Sequence, residues 1–152
     1  MITASLRPIL LVEDEADYAS LVRESLRNTN IENPVRFVST PGKAIDYLAG
    51  AGEFADRSEH PFPCLMLLDL RLGQESGFEV LRWLRRQEHL QGALNVVVLS
   101  VSNSPDEIRM AYELGAQFYM DKTKYGALET GAMYLKDSWL MAEVLSSPTL
   151  NC

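Results

Sequence analysis

Short apolar runs punctuate the chain at Ile9–Val12, Val35–Val38, Leu65–Leu68 and Val96–Leu99, and a fifth strand-like run covers Gln117–Met120. Between them the spacing turns helical. Tyr18, Leu21, Val22, Ser25 and Leu26 share one face of a first helix. Thr40 and Pro41 read as an N-cap and first helical residue, opening a helix with Ala44, Ile45, Leu48 and Ala49 that stops at Gly50. Phe78, Leu81 and Leu84 mark a third helix. Ser104-Pro105-Asp106-Glu107 fits a capping box before a fourth, which Gly115 ends. A last helix is predicted from about Lys124 to Leu145, with Leu128, Ala132, Leu135, Trp139 and Ala142 as its stripe. Strands alternating with helices predict a parallel sheet covered on both faces, an α/β three-layer sandwich of five βα units.

This pattern divides the chain into an extension at 1–8, one domain at 9–146 and a tail at 147–152. The Gly50–Pro63 loop is long for such a connection, which predicts mobility or a partner contact. On the last helix Met133, Leu140 and Val144 lie off the stripe. A surface helix needs one apolar face, so the surplus points either to a protein contact, with a homodimer as the working hypothesis, or to cover by the tail.

Composition narrows the function classes. The 152 residues suit one domain, and 47% hydrophobic content supports a core. A net charge of −7 argues against nucleic acid and anionic membranes as partners. No apolar run approaches the ~20 residues of a membrane span, and residues 1–8 do not read as a signal peptide. Cys64 and Cys152 are far apart in sequence, which predicts neither a disulfide framework nor a metal cluster and makes a reducing cytoplasm the default. His60 and His89 have no neighbours that suggest a metal site.

The chemistry gathers at strand ends. Glu13 and Asp14 follow the first strand, Asp69 the third, Ser100 the fourth and Lys122 the fifth. In an open α/β sheet this edge is where ligands bind. Three clustered carboxylates repel one another and call for a cation; Mg2+ suits them, since it binds carboxylate and phosphate oxygens. Asp69 is the candidate nucleophile, able to form an acyl phosphate. Each residue alone has a plainer explanation. An Asp after a strand is often a turn or cap residue, acids favour a helix start, and Ser and Lys can simply be solvated. Their arrival together at successive strand ends favours a site where an aspartate accepts a phosphoryl group.

The pattern Ile-Leu-Leu-Val-Glu13-Asp14, Leu-Leu-Asp69-Leu, Val-Val-Leu-Ser100 and Tyr119-Met-Asp-Lys122, with Gly77 eight residues after Asp69, resembles the receiver domain of bacterial two-component response regulators over residues 8 to about 145. The resemblance implies a flavodoxin-like fold. It also implies that Glu13, Asp14, Asp69 and the backbone carbonyl of Arg71 hold Mg2+, and that Asp69 takes phosphate from a histidine kinase. Ser100 and Tyr119 would be a switching pair that remodels the surface of helix four, strand five and helix five. Such domains accept and self-hydrolyse an aspartyl phosphate without being dedicated enzymes. No output segment follows in this sequence, so the likeness is to stand-alone receivers. The long loop before strand three, the segment after strand four and Trp139 are similar to the regulators of bacterial and cyanobacterial phytochrome kinases.

The chain departs from the family at several positions. Gly73 stands where proline is usual, Ser76 where an acid is common, Thr123 where proline follows the lysine, and branched Val101 where a small residue follows Ser100. Arg71 lies two residues past Asp69, where an aspartyl-phosphate hydrolase would carry its general acid/base Asp, which counts against that enzyme class. A degenerate receiver acting as a phosphorylation-independent interaction module stays open as the alternative. Nucleotide binding is the weakest reading, because no glycine-rich phosphate loop appears.

Overall fold

Alternation along each predicted strand decides how the layers form. The computed structural model describes residues 6–123. Its elements run β1 (Ile9–Val12), α1 (Ala16–Asn28), β2 (Val35–Val38), α2 (Pro41–Ala49), β3 (Leu65–Asp69), β4 (Arg71–Leu72), β5 (Glu75–Ser76), α3 (Phe78–Arg85), β6 (Asn95–Ser100), α4 (Pro105–Glu113) and β7 (Phe118–Asp121). Five parallel strands form one sheet in the order β2-β1-β3-β6-β7. Leu10, Val12, Met66, Leu68, Val96 and Val98 point to one face, where Ala44 and Leu48 of α2, Val80 and Leu81 of α3 and Ala111 of α4 cover them. Ile9, Leu11, Leu65, Leu67, Val97 and Leu99 point to the other, against Ala19, Val22 and Leu26 of α1. The predicted α/β architecture is therefore observed. No described helix is long and apolar enough to cross a membrane.

Local chemistry sets the helix ends. The Thr40 hydroxyl accepts from the Lys43 amide at 3.1 Å, and Pro41 opens α2. At the other end Gly50 adopts φ 65° while the Ala51 amide reaches back to the Asp46 carbonyl at 2.9 Å. Gly115 ends α4 in the same way at φ 104°, with the Ala116 amide on the Ala111 carbonyl. The capping box predicted at Ser104 does not form. Ser104 is the cap residue but its side chain accepts no capping hydrogen bond; its amide instead donates to the Ser102 hydroxyl at 3.2 Å. Leu21, assigned to the buried face of α1, is 53% exposed. The stripe centres on Ala19, Val22 and Leu26, one position round the helix.

The Gly50–Pro63 loop is tied down rather than loose. The Arg57 guanidinium donates to the carbonyls of Tyr47 at 2.7 Å, Leu48 at 2.8 Å and His60 at 3.0 Å, closing the end of α2. Tyr47 donates to the Pro61 carbonyl, and its ring packs with Phe54 and His60. His60 thus has a packing role that its sequence neighbours gave no hint of. Cys64 is buried, and Cys152, the other cysteine, lies outside the described residues. The last predicted helix, with Met133, Trp139, Leu140 and Val144, lies outside the described residues.

Arg57→Ala leaves these carbonyls without their donor. It is expected to lower unfolding stability by about 1–3 kcal/mol in urea titrations, whereas a change below about 0.3 kcal/mol would show that the loop holds without its guanidinium.

Candidate functional site

Strand register brings the distant pieces together. Val12 pairs with Leu68, Asp69 with Leu99, and Ser100 with Asp121. Glu13 is therefore level with Asp69 at the carboxyl edge, and Lys122 comes one step beyond β7. Lys122 Nζ lies 2.8 Å from Glu13 Oε2 and 2.7 Å from Asp69 Oδ2. Glu13 is fully buried, Asp69 nearly so, and the Lys122 side chain is 9% exposed. The Lys122 amide donates to the Ser100 carbonyl at 2.8 Å, locking the lysine loop to the end of β6. The other Asp69 oxygen accepts from the Arg71 amide at 2.9 Å.

Asp14 is exposed at the mouth of the site. Carboxylate oxygens of Glu13, Asp14 and Asp69 lie within 4.8 Å of one another, close enough to share a metal ion. Among the described residues one ammonium answers the three acids, so with all of them ionised two negative charges stay uncompensated there and a divalent cation fits. Burial raises the Glu13 pKa to about 7; the Lys122 hydrogen bond opposes this and the Asp69 charge adds to it. Burial works to lower the Lys122 pKa, but its bonds to Asp69 and Glu13 outweigh that and raise it.

Ser100 and Tyr119 are linked through one residue. The Ser100 hydroxyl accepts from the Ser102 amide at 3.1 Å, and the Ser102 carbonyl accepts from the Tyr119 hydroxyl at 2.8 Å. Tyr119 is half-buried against the core face that carries α4. Ser102 was not singled out in the sequence; its role comes from its backbone N–H and C=O, which leave no residue-type signal.

Three of the departures in the loops around the site make a turn or a hydrogen bond of their own. Gly73 sits at φ 64°, in the turn joining β4 to β5. Proline, fixed near −65°, cannot adopt that conformation. Thr123 uses the amide that proline would lack: its N–H and hydroxyl both donate to Asp121 Oδ1, at 2.8 and 2.6 Å. The Ser76 hydroxyl accepts from the Phe78 amide at 3.2 Å and so gives the first N–H of α3 a partner. Gly77 has no freedom to change, because a Cβ there would stand 2.2 Å from the Asp69 carbonyl oxygen. Val101 is 51% exposed and Arg71 is exposed.

Tyr18 was read only as a packing residue, yet its ring lies under Lys122 with Nζ 4.0 Å from the centroid. An aromatic one helical turn after Asp14 was the available signal.

Residues 9–129 match the response regulator receiver domain family. Among curated proteins, the probable methanogenesis regulatory protein FilR2 of Methanothrix harundinacea is 35% identical over 133 residues, covering 87% of this chain and 83% of its own. Response regulator Rcp1 of Synechocystis is 34% identical over 116 residues, covering 76% of each chain. The phosphorylated cyanobacterial phytochrome response regulator RcpA superposes with a TM-score of 0.77 at 32% identity, over 89% of this chain and 94% of its own. The Mn2+-bound form of Rcp1 gives 0.77 at 30% identity, over 94% and 99%. The five-stranded sheet, the acids at its carboxyl edge and the match over most of the sequence agree: this chain belongs to the response regulator receiver domain family, as a two-component response regulator related to those of phytochromes.

Proposed function

We propose that Asp69 accepts a phosphoryl group from the phosphohistidine of a histidine kinase, with Mg2+ held by Glu13, Asp14, Asp69 and the Arg71 carbonyl. The Lys122 bridge between Glu13 and Asp69 carries this reading. It holds the would-be nucleophile in a fixed position beside an acid that has no other ion-pair partner among the described residues. An Asp69 oxygen attacks phosphorus, the phosphorus–nitrogen bond breaks, and the imidazole departs with the bonding electrons. The cation, when bound, offsets the charge of the acids and of the transferred group. Lys122 exchanges part of its bond to Asp69 for a phosphoryl oxygen. The Ser100 hydroxyl turns from the Ser102 amide toward the same group, and the change passes through Ser102 to Tyr119 and the α4–β7 surface. Water later cleaves the acyl phosphate, which resets the site.

The names of the relatives support a phytochrome-type histidine kinase as donor. A cytoplasmic location accompanies this proposal, since the kinase draws its phosphoryl group from ATP. A homodimer through the last helix belongs to the same proposal: Met133→Glu with Leu140→Glu would then change sedimentation, and unchanged sedimentation would leave that patch as ordinary surface.

Incubation with Mg2+ and phosphoramidate is expected to add one phosphoryl mass to the intact protein. The adduct should be absent from Asp69→Asn and from an EDTA-treated sample. A folded wild type without the adduct would instead favour a phosphorylation-independent interaction module.

The buried Glu13 adds a pH dependence. Its carboxyl, with a pKa near 7, is protonated as pH falls, and a protonated carboxyl is a poor metal ligand. Mg2+ affinity is therefore expected to be about tenfold weaker at pH 6 than at pH 8, with release of a proton on binding. Calorimetric titration in two buffers reads both quantities; affinity independent of pH would remove Glu13 as a titrating ligand.

A further inference from the structure

An ammonium group has three hydrogens to place. Two of those on Lys122 are directed to Glu13 Oε2 and Asp69 Oδ2. The third side of the ammonium meets the face of Tyr18, at 4.0 Å from the ring centroid, and little of the lysine is left to water. This is cation–π distance in a largely desolvated place, where the attraction is strongest. The hydroxyl takes no part in it: Tyr18 Oη is buried and has no hydrogen-bond partner among the described residues. Burial also holds it protonated, with its pKa raised to about 12. The contact thus comes from the ring, with the hydroxyl as an unmatched polar atom.

We propose that Tyr18 is a positioning residue for phosphoryl transfer, acting through Lys122. The inference rests on Asp69 being the phosphoacceptor. The two carboxylates change their demands on Lys122 when a cation binds and when Asp69 is modified, whereas the ring does not. It holds the ammonium at the carboxyl edge without neutralising it, so the full positive charge stays available to the incoming phosphoryl oxygens. A carboxylate in its place would compete with the phosphoryl group for the lysine. An aliphatic side chain would fill the space but would let the ammonium leave for solvent.

The test measures phosphorylation of Asp69 by phosphoramidate at saturating Mg2+ and donor. Tyr18→Phe keeps the ring and is expected to react within about twofold of wild type, with equal or higher melting temperature, because it removes an unsatisfied buried hydroxyl. Tyr18→Leu and Tyr18→Met keep the bulk without the π face. They are expected to react about three- to thirtyfold more slowly, the range a desolvated cation–π contact supports. In a Lys122→Met background Tyr18→Leu should have no further effect, since the ring then has no ammonium to hold. Proton NMR gives a readout that needs no phosphate: the Lys122 ε-methylene should be shifted upfield by the ring in wild type and Tyr18→Phe, and should lose that shift in Tyr18→Leu. Phe and Leu variants that react alike, a Leu effect that survives in the Lys122→Met background, or an unshifted methylene would each overturn the proposal. Wild type that labels while these outcomes appear means Tyr18 alone has been misassigned. Wild type that never labels removes the phosphoacceptor reading and this inference with it.

Discussion

The placement of one ammonium group governs the carboxyl edge of this sheet. Lys122 Nζ stands between two buried carboxylates that have no other ion-pair partner among the described residues. Removing a cation from such a place leaves acids in a medium that cannot solvate them, a far larger cost than losing a surface ion pair. Several features serve that position. The amide of Lys122 is fastened to the Ser100 carbonyl, Asp121 closes the loop on Thr123, and the Arg71 amide fixes the far side of Asp69. Gly77 lets the start of α3 come against the Asp69 backbone, where any side chain would collide.

Most of this was legible in the sequence because it depends on burial and on strand ends. Parallel strands covered on both faces must be continuously apolar, so Ile9–Val12 and Leu65–Leu68 announce themselves, and the first polar residue after each falls at the edge where ligands bind. Thr40, Pro41 and Gly50 were readable for a local reason: each satisfies or relieves its own backbone. What escaped depended on contacts between distant segments. The Arg57 guanidinium reaches back to the carbonyls of α2, which no spacing rule records. Leu21 matched the helical period but lies off the face that α1 buries, which centres on Ala19, Val22 and Leu26. At Ser104 the motif was present and the bond was not, because its amide went to Ser102 instead. The short β4–β5 ribbon, held by a two-residue turn with glycine at its first position, was missed although Gly73 is the residue such a turn asks for.

The departures from the family pattern form a coherent local set. Where proline is usual, Gly73 supplies a left-handed conformation and Thr123 supplies an amide donor. Where an acid is common, the Ser76 hydroxyl accepts from the first amide of α3. Each substitution changes how a loop is held and leaves the site acids in place.

Ser102 links Ser100 and Tyr119 through its backbone on either side of its Cα. Its amide faces Ser100 and its carbonyl faces Tyr119, so two adjacent peptide planes that meet at the Ser102 Cα join a buried hydroxyl to a half-buried aromatic ring. The φ and ψ of Ser102 are the two dihedrals between those ends, and a coupling through them would have no preferred direction. Under the proposed switch, thermodynamic reciprocity would make a molecule that grips Tyr119 in one orientation bias the Ser100 hydroxyl by the same free energy with which Ser100 would bias the ring. A downstream binder would then act also as an effector of the chemistry upstream, and the readiness of the chain to react would report on the company it keeps.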